Sequence, residues 1–302
     1  MYKHIEATPL HSDFAAEIDG VDIAAGVDDA TFAEIEAAFD EYSVLVFPNQ
    51  QIDDAQQIAF SRRFGDLETM LKGQNGAKSS YLAHLGNIDP ATDRIIAADD
   101  SRMQRQFSNE LWHTDSSFKR IGAKASLLHG REVPPEGGET SFVSMRAAFE
   151  ALSPEKQAEL ESLAVEHWFV WSRSLTVKED FLTDEQKAQT PPVPQSLVLE
   201  NPRNGRKAIY MASHAYRVLG WPLEKGREYL DDLQAHATQD RFAYHHKWRR
   251  WDLVMWDNRA TQHRGNPFDF RTHRRVMVRA TVAGDAPTIT PEEASRREAA
   301  AG

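Results

Sequence analysis

Asp252-Leu253-Val254-Met255-Trp256-Asp257-Asn258 is an apolar run closed by polar residues, and it reads as a strand. A short turn follows, then His263-Arg264-Gly265, then a second strand-like run at 275–284 that opens with Arg275 and carries Arg279. Working outward, further strand candidates lie at 126–133, 140–145, 164–171, 197–201, 207–211 and 242–248. Several alternate polar and apolar residues, as strands buried on one face do. Asn204-Gly205, between two of these runs, is a two-residue hairpin signal. Many short strands with turn punctuation imply two packed antiparallel sheets. The expected fold is mainly β with surrounding helices, around a double-stranded β-helix (jelly-roll) core.

Helical spacing of Phe32, Ile35 and Phe39 predicts a helix over 29–41, running into Val44-Leu45-Val46-Phe47. A second is predicted over 54–64, stopped by Gly65. Ser153-Pro154 opens a third with a cap and a first-turn proline, and 223–237 forms another. Thr290-Pro291-Glu292-Glu293 has capping-box form ahead of a frayed surface helix. Residues 66–106 read as loop-rich and polar, suited to a lid over a site. No repeat or linker divides the chain, so one domain over 1–302 is expected, with 285–302 as its tail.

The chemistry-bearing pattern is His113-Thr114-Asp115 with His263 downstream. Composition alone yields about two His-x-Asp/Glu matches in such a chain. Three occur: His4-Ile5-Glu6, His11-Ser12-Asp13 and His113-Thr114-Asp115. The first two sit in a polar N-terminal edge or loop, whereas the third lies among the aromatic and hydroxyl residues of 107–118. On an extended backbone His113 and Asp115 project to the same side, and two imidazoles with one carboxylate form the facial set that holds non-haem Fe(II) with open positions. Those positions would take O₂ and 2-oxoglutarate. The distal carboxylate of 2-oxoglutarate needs a fork of donors, which a guanidinium provides. Arg275 is assigned that role, with the Thr140 hydroxyl as second donor. Arg279, four residues on, shares a strand face with Arg275 and would meet an anionic substrate. Arg271 and Arg274 read more readily as a solvated strand edge.

Composition bounds the alternatives. The chain has no cysteine, which excludes disulfides, thiolate nucleophiles and thiolate metal sites. A net charge of −11 disfavours nucleic acid as a partner. No run approaches the roughly 18 apolar residues of a membrane span, and the start shows no secretory signal, so a cytoplasmic location is expected. A homo-oligomer stays open.

Together these segments resemble one known group, the TauD/TfdA-like 2-oxoglutarate oxygenases. The resemblance runs from about Val44 to Gly284 and is carried by Val44-Leu45-Val46-Phe47, Gln56-Gln57-Ile58-Ala59-Phe60, Leu111-Trp112-His113-Thr114-Asp115-Ser116-Ser117-Phe118, Pro134-Pro135-Glu136-Gly137-Gly138-Glu139-Thr140, Asp252–Arg259 and His263-Arg264. Within it the chain looks most similar to the aryloxyalkanoate dioxygenases. The resemblance implies His113, Asp115 and His263 as iron ligands, with Thr140 and an arginine on the oxoglutarate. Counting from the histidine gives Arg274; matching the Arg-Arg-Val-Met run gives Arg275, which also keeps the spacing to Arg279. His214, Arg217, Lys72 and Asn109 are candidate substrate contacts, each with a surface or structural role as the competing reading. The implied reaction couples decarboxylation of 2-oxoglutarate to hydroxylation of an anionic small molecule, with ether cleavage to a phenol when the carbon bears an aryl ether. Asp115 favours hydroxylation over halogenation, since a halogenase vacates that ligand position. A sulfonate or alkyl sulfate dioxygenase, a zinc hydrolase and a non-enzymatic jelly-roll binding module are the rivals.

Overall fold

Val44–Phe47 is buried at all four positions because strands pair with it on both edges. Ala16–Asp19 runs parallel to it and Leu253–Asp257 antiparallel. The computed structural model in which this is seen describes residues 2–69, 81–100, 102–103, 108–176 and 183–299. These strands belong to a seven-stranded sheet, in the order Glu6–Pro9, Ala16–Asp19, Val44–Phe47, Leu253–Asp257, Ala123–Glu132, Val276–Ala283 and Leu82–Gly86.

Period-two alternation sorts the side chains of this sheet onto two faces. Leu45, Phe47, Leu127, Leu253 and Met255 pack with Phe32, Ile35 and Phe39 of the helix Asp29–Tyr42 and Phe60 of the helix Asp54–Arg62. Val44, Val46, Leu128, Val254, Trp256 and Met277 point the other way and meet Phe142. Phe142 lies in the middle strand of a three-stranded sheet ordered Ala243–His246, Thr140–Ser144 and Thr261–Gly265. Its ring sits 5.5 Å from that of Trp256. Truncating it to alanine would cost about 3–5 kcal/mol. A third sheet, Val193–Ser196, Ala164–His167 and Ala215–Val218, flanks a further core around the helices Met145–Glu150 and Leu223–Ala237.

Several expectations need correcting. The run at 164–171 is a strand only to His167; Phe169–Ser174 is a helix. Residues 66–106 hold the edge strand Leu82–Gly86 and the small hairpin of Ile88–Asp89 with Arg94–Ile95, while 70–80 lie outside the described residues. The expected hairpin forms, but Asn204-Gly205 lies in a four-residue loop, 202–205, rather than a two-residue turn: the loop closes where the Asn201 N–H donates to the Arg206 carbonyl. Gly65 lies beyond a helix that ends at Arg62, at φ +142° rather than in a left-handed cap. The terminal helix Pro291–Ala299 is docked rather than frayed. Ala294 and Ile289 pack with Ala164 and Leu219, Arg297 donates to the Leu163 carbonyl, and Glu298 accepts from Arg217 and from the Gly220 N–H. Among the described residues no helix is long and apolar enough to cross a membrane.

Candidate metal centre and the two cavities beside it

His113 and His263, 150 residues apart in sequence, form a reciprocal backbone pair. The His113 N–H donates to the His263 carbonyl at 2.9 Å, and the His263 N–H returns to the His113 carbonyl at 2.8 Å. Because His263 sits in Thr261–Gly265 beside Thr140–Ser144, this pairing ties the His113 segment to the smaller sheet. Asp115 follows where the chain turns, with Ser116 at φ +56°. Ligand atoms of His113, Asp115 and His263 all lie within 4.8 Å of one another, and all three residues are buried at this point.

Each side chain is held in a form suited to a metal. His113 Nδ1 sits 2.7 Å from the Leu111 carbonyl, which fixes the tautomer that leaves Nε2 with its lone pair. The His263 ring packs 4.5 Å from Trp256 and 4.1 Å from the His113 ring. Burial, the main cause, lowers the pKa of both histidines, so they are neutral and able to ligate. Burial pushes the Asp115 carboxyl up, but the Arg279 guanidinium beside it, with the Ser126 hydrogen bond, outweighs this and holds the group well below the usual carboxylate range. Asp115 Oδ2 accepts from Ser126 Oγ at 2.6 Å and Oδ1 from Arg279 Nη1 at 2.6 Å. Asn258 organises this segment. Its Oδ1 accepts from the Asp115 N–H and the Trp256 indole, its Nδ2 donates to Ser126 Oγ, and its carbonyl accepts from Thr114. A cluster of two neutral imidazoles and one ionised carboxylate, approached from a cavity, fits a divalent metal of the iron class with positions left for other ligands.

A first cavity opens directly on this cluster, walled by Asn109, Phe118, Phe169, Arg173, His214 and Arg279. The Phe118 ring lies 4.8 Å from Phe169 and 4.9 Å from His214, giving one aromatic wall. His214 is buried, with Nδ1 3.3 Å from Ser117 Oγ. A second cavity is lined by Asn109, Gly265, Asn266, Phe268, Phe270 and Arg275, so Asn109 borders both. Among the described residues, Arg275 Nε is buried without a partner, and the one guanidinium hydrogen bond reaches the Gly138 carbonyl at 3.5 Å, at the edge of what counts as one. Burial lowers its pKa to about 10. An unneutralised cation in such a place is costly, and the cavity fits a ligand carboxylate. The tandem Gly137-Gly138 allows this approach: both have positive φ, and a Cβ on Gly137 would fall 2.8 Å from the Pro267 carbonyl oxygen. Thr140 begins the strand opposite Gly265, and its hydroxyl accepts from the Trp248 indole at 3.0 Å.

Two expected site residues are elsewhere. Arg274 is bound to Glu132 at 2.6 Å and Asp93 at 2.7 Å on the surface, so it does not face the second cavity. Arg217 is held by Glu166 and Glu298 and lines neither cavity. Arg275 and Arg279 line different cavities; Arg279 is within the strand Val276–Ala283, whereas Arg275 precedes it. Lys72 lies outside the described residues. Phe169, Ser172 and Arg173, which line the first cavity, are missing from the sequence-based candidates, which carry a strand to 171 where the helix Phe169–Ser174 stands. Their i, i+3, i+4 spacing was the available signal. For Ser126 and Asn258 no spacing rule would have singled them out.

Comparison with known proteins gives a consistent picture. A family described as "Taurine catabolism dioxygenase TauD, TfdA family" matches residues 6–281. A protein of Cupriavidus pinatubonensis named alpha-ketoglutarate-dependent 2,4-dichlorophenoxyacetate dioxygenase is 42% identical over 287 residues, covering 93% of this chain and 99% of the relative. An (S)-phenoxypropionate/alpha-ketoglutarate-dioxygenase of Sphingobium herbicidovorans is 33% identical, covering 96% of this chain and 99% of its own. The crystal structure of AAD-2 in complex with Mn(II) and N-oxalylglycine superposes with a TM-score of 0.87 at 42% identity, covering 95% of this chain and 100% of that one.

Proposed function

Because the chain belongs to the TauD, TfdA dioxygenase family, we propose that it is an Fe(II)- and 2-oxoglutarate-dependent dioxygenase that hydroxylates aryloxyalkanoate-type carboxylic acids and releases a phenol. His113, Asp115 and His263 would hold the iron. When bound with oxoglutarate and O₂, the metal supplies oxidation of a substrate C–H as oxoglutarate becomes succinate and CO₂. The observation that carries this reading is the buried, unneutralised Arg275 in a cavity beside the metal cluster. Arg275 and Thr140 would grip the distal carboxylate of oxoglutarate. Asp115 is kept ionised by Arg279 and Ser126, so no proton has to leave it for a metal to bind. Substrate would enter the first cavity, its ring against Phe118 and Phe169 and its carboxylate toward Arg279, with His214 and Asn109 beside it. Hydroxylation at the ether carbon gives a hemiacetal that collapses to a phenol and an oxoacid, so no hydrolytic base is needed. The aromatic wall favours this class over taurine or an alkyl sulfate.

We also read the seven-stranded sheet and the sheet centred on Thr140–Ser144 as the two layers of a distorted jelly roll, in one domain acting on a small carboxylate in the cytoplasm. Succinate formation with Fe(II), 2-oxoglutarate and air tests the function. The panel is aryloxyacetates, both aryloxypropionate enantiomers, taurine and an alkyl sulfate. Succinate matched by phenol is expected with an aryloxyalkanoate. Succinate matched by sulfite or an aldehyde from the sulfur compounds alone would overturn the substrate class.

A further inference from the structure

Trp248 lines neither cavity described above, yet it bonds Thr140, whose strand partner Gly265 lines the second one. The indole N–H donates to Thr140 Oγ1 at 3.0 Å. An indole nitrogen can only donate, whereas a hydroxyl offers one proton and two lone pairs. In that bond Thr140 must therefore be the acceptor, and its own proton is left to be given to something else. Among the described residues no other hydrogen bond engages Thr140 Oγ1. Thr140 faces Gly265 across the strand pair, and Gly265 lines the cavity that holds Arg275. Gly138, two residues before Thr140, has its carbonyl 3.5 Å from the Arg275 guanidinium.

The ring itself is closely held. Strand Ala123–Glu132 leaves out a side chain at Gly130, where a Cβ would come within 3.0 Å of Trp248 Cε3. His246 meets the indole edge-on at 4.7 Å and 87°. His246 is in turn buried with its Nε2 3.2 Å from the fully buried Asp252 carboxylate, which Arg249 also engages. An indole packed in this way has little freedom to turn its N–H elsewhere.

We propose that Trp248 is a positioning residue for the oxoglutarate subsite: its N–H occupies a lone pair of Thr140 and so commits the Thr140 hydroxyl to donating to the distal carboxylate of the ligand beside Arg275. This rests on the assignment of Arg275 and Thr140 to oxoglutarate made above. The test is calorimetric titration of 2-oxoglutarate, and separately of oxalate, which lacks a distal carboxylate, into the Mn(II)-loaded protein. Wild type, Trp248→Phe, Thr140→Val and the double variant are compared. Trp248→Phe keeps the ring and loses the N–H. It should weaken oxoglutarate about fivefold, the worth of one neutral hydrogen bond, leave oxalate unchanged, and add no further loss to Thr140→Val. Unchanged oxoglutarate affinity, an equal loss for oxalate, or the same fivefold loss in the Thr140→Val background would each overturn the role. If wild type binds oxalate but not oxoglutarate, the subsite assignment itself has failed and the proposal falls with it. Should Trp248→Phe not fold, Gly130→Ala, which crowds the indole, must give the same ligand-selective loss or the role is wrong.

Discussion

Arg279 lies inside the strand Val276–Ala283 and Arg275 just before it, four residues apart, yet they stand in opposite electrostatic positions. Arg279 finds a carboxylate inside the protein, Asp115 at 2.6 Å. Among the described residues Arg275 finds none, and its Nε is buried without a partner. One cavity thus carries its own counter-ion and the other does not. Identical side chains differ here in what their removal does, because breaking a buried ion pair strands a charge whereas removing a lone buried charge relieves one.

The severest test of the comparison is Asp115→Ala. It removes the only carboxylate of the metal cluster and strands Arg279. Succinate formation should fall at least about a thousandfold, with metal affinity lost in parallel, as measured by product assay and metal titration. Retained turnover would show that the cluster is not the reacting centre. Next are opposing shifts in the metal-free protein, read by thermal melts with chelator present. Arg279→Met leaves Asp115 unpaired and should destabilise by about 3 kcal/mol, whereas Arg275→Met should be neutral or stabilising by up to about 3 kcal/mol. The same Arg275 variant should lose oxoglutarate binding and, with it, the added stability that the ligand confers on wild type. Shifts of the same sign would break the contrast.

Acid should expose a third kind of buried group. His129 and His167 are both fully buried, and burial lowers their pKa values to about 4 and about 3. An unfolded histidine titrates near 6.5. Below that pH the unfolded chain takes up protons that the folded chain refuses, so stability is present above about 6.5 and falls as pH drops toward 4. Each group contributes about 1.4 kcal/mol per pH unit within that window. His167→Gln should flatten the slope of denaturant stability against pH between 6 and 4; an unaltered slope refutes the assignment. The smallest effect is expected from Arg274→Ala. Its partners Asp93 and Glu132 are at the surface, so stability should change by less than about 1 kcal/mol and oxoglutarate affinity by less than about twofold. A loss comparable to that of Arg275→Met would reverse the division between the two neighbours.

Much of this arrangement could be read from the chain. Val44–Phe47 and Leu253–Asp257 were recoverable because continuous apolar runs bounded by polar residues leave few alternatives. The cluster was recoverable because His113 and Asp115 share a short extended segment. What escaped depended on non-local partners. Phe169–Ser174 is a helix whose six residues carry aromatics that also suit a strand, and local propensity alone does not decide so short a piece. Arg274 and Arg275 are adjacent and chemically alike. Only Asp93 and Glu132, far off in sequence, settle which of them is drawn to the surface. Arg217 is distinguished in the same way by Glu298 from the terminal helix.

The reciprocal backbone bonds between His113 and His263 have a kinetic consequence. Unlike a zinc finger, whose ligands are gathered by the ion itself, this chain brings its two imidazoles together through ordinary strand pairing. A chelator should therefore strip the ion without melting the protein, and reloading should proceed at the pace of ligand exchange rather than of refolding. The folded chain alone would then keep His113 and His263 in place before any cation arrives.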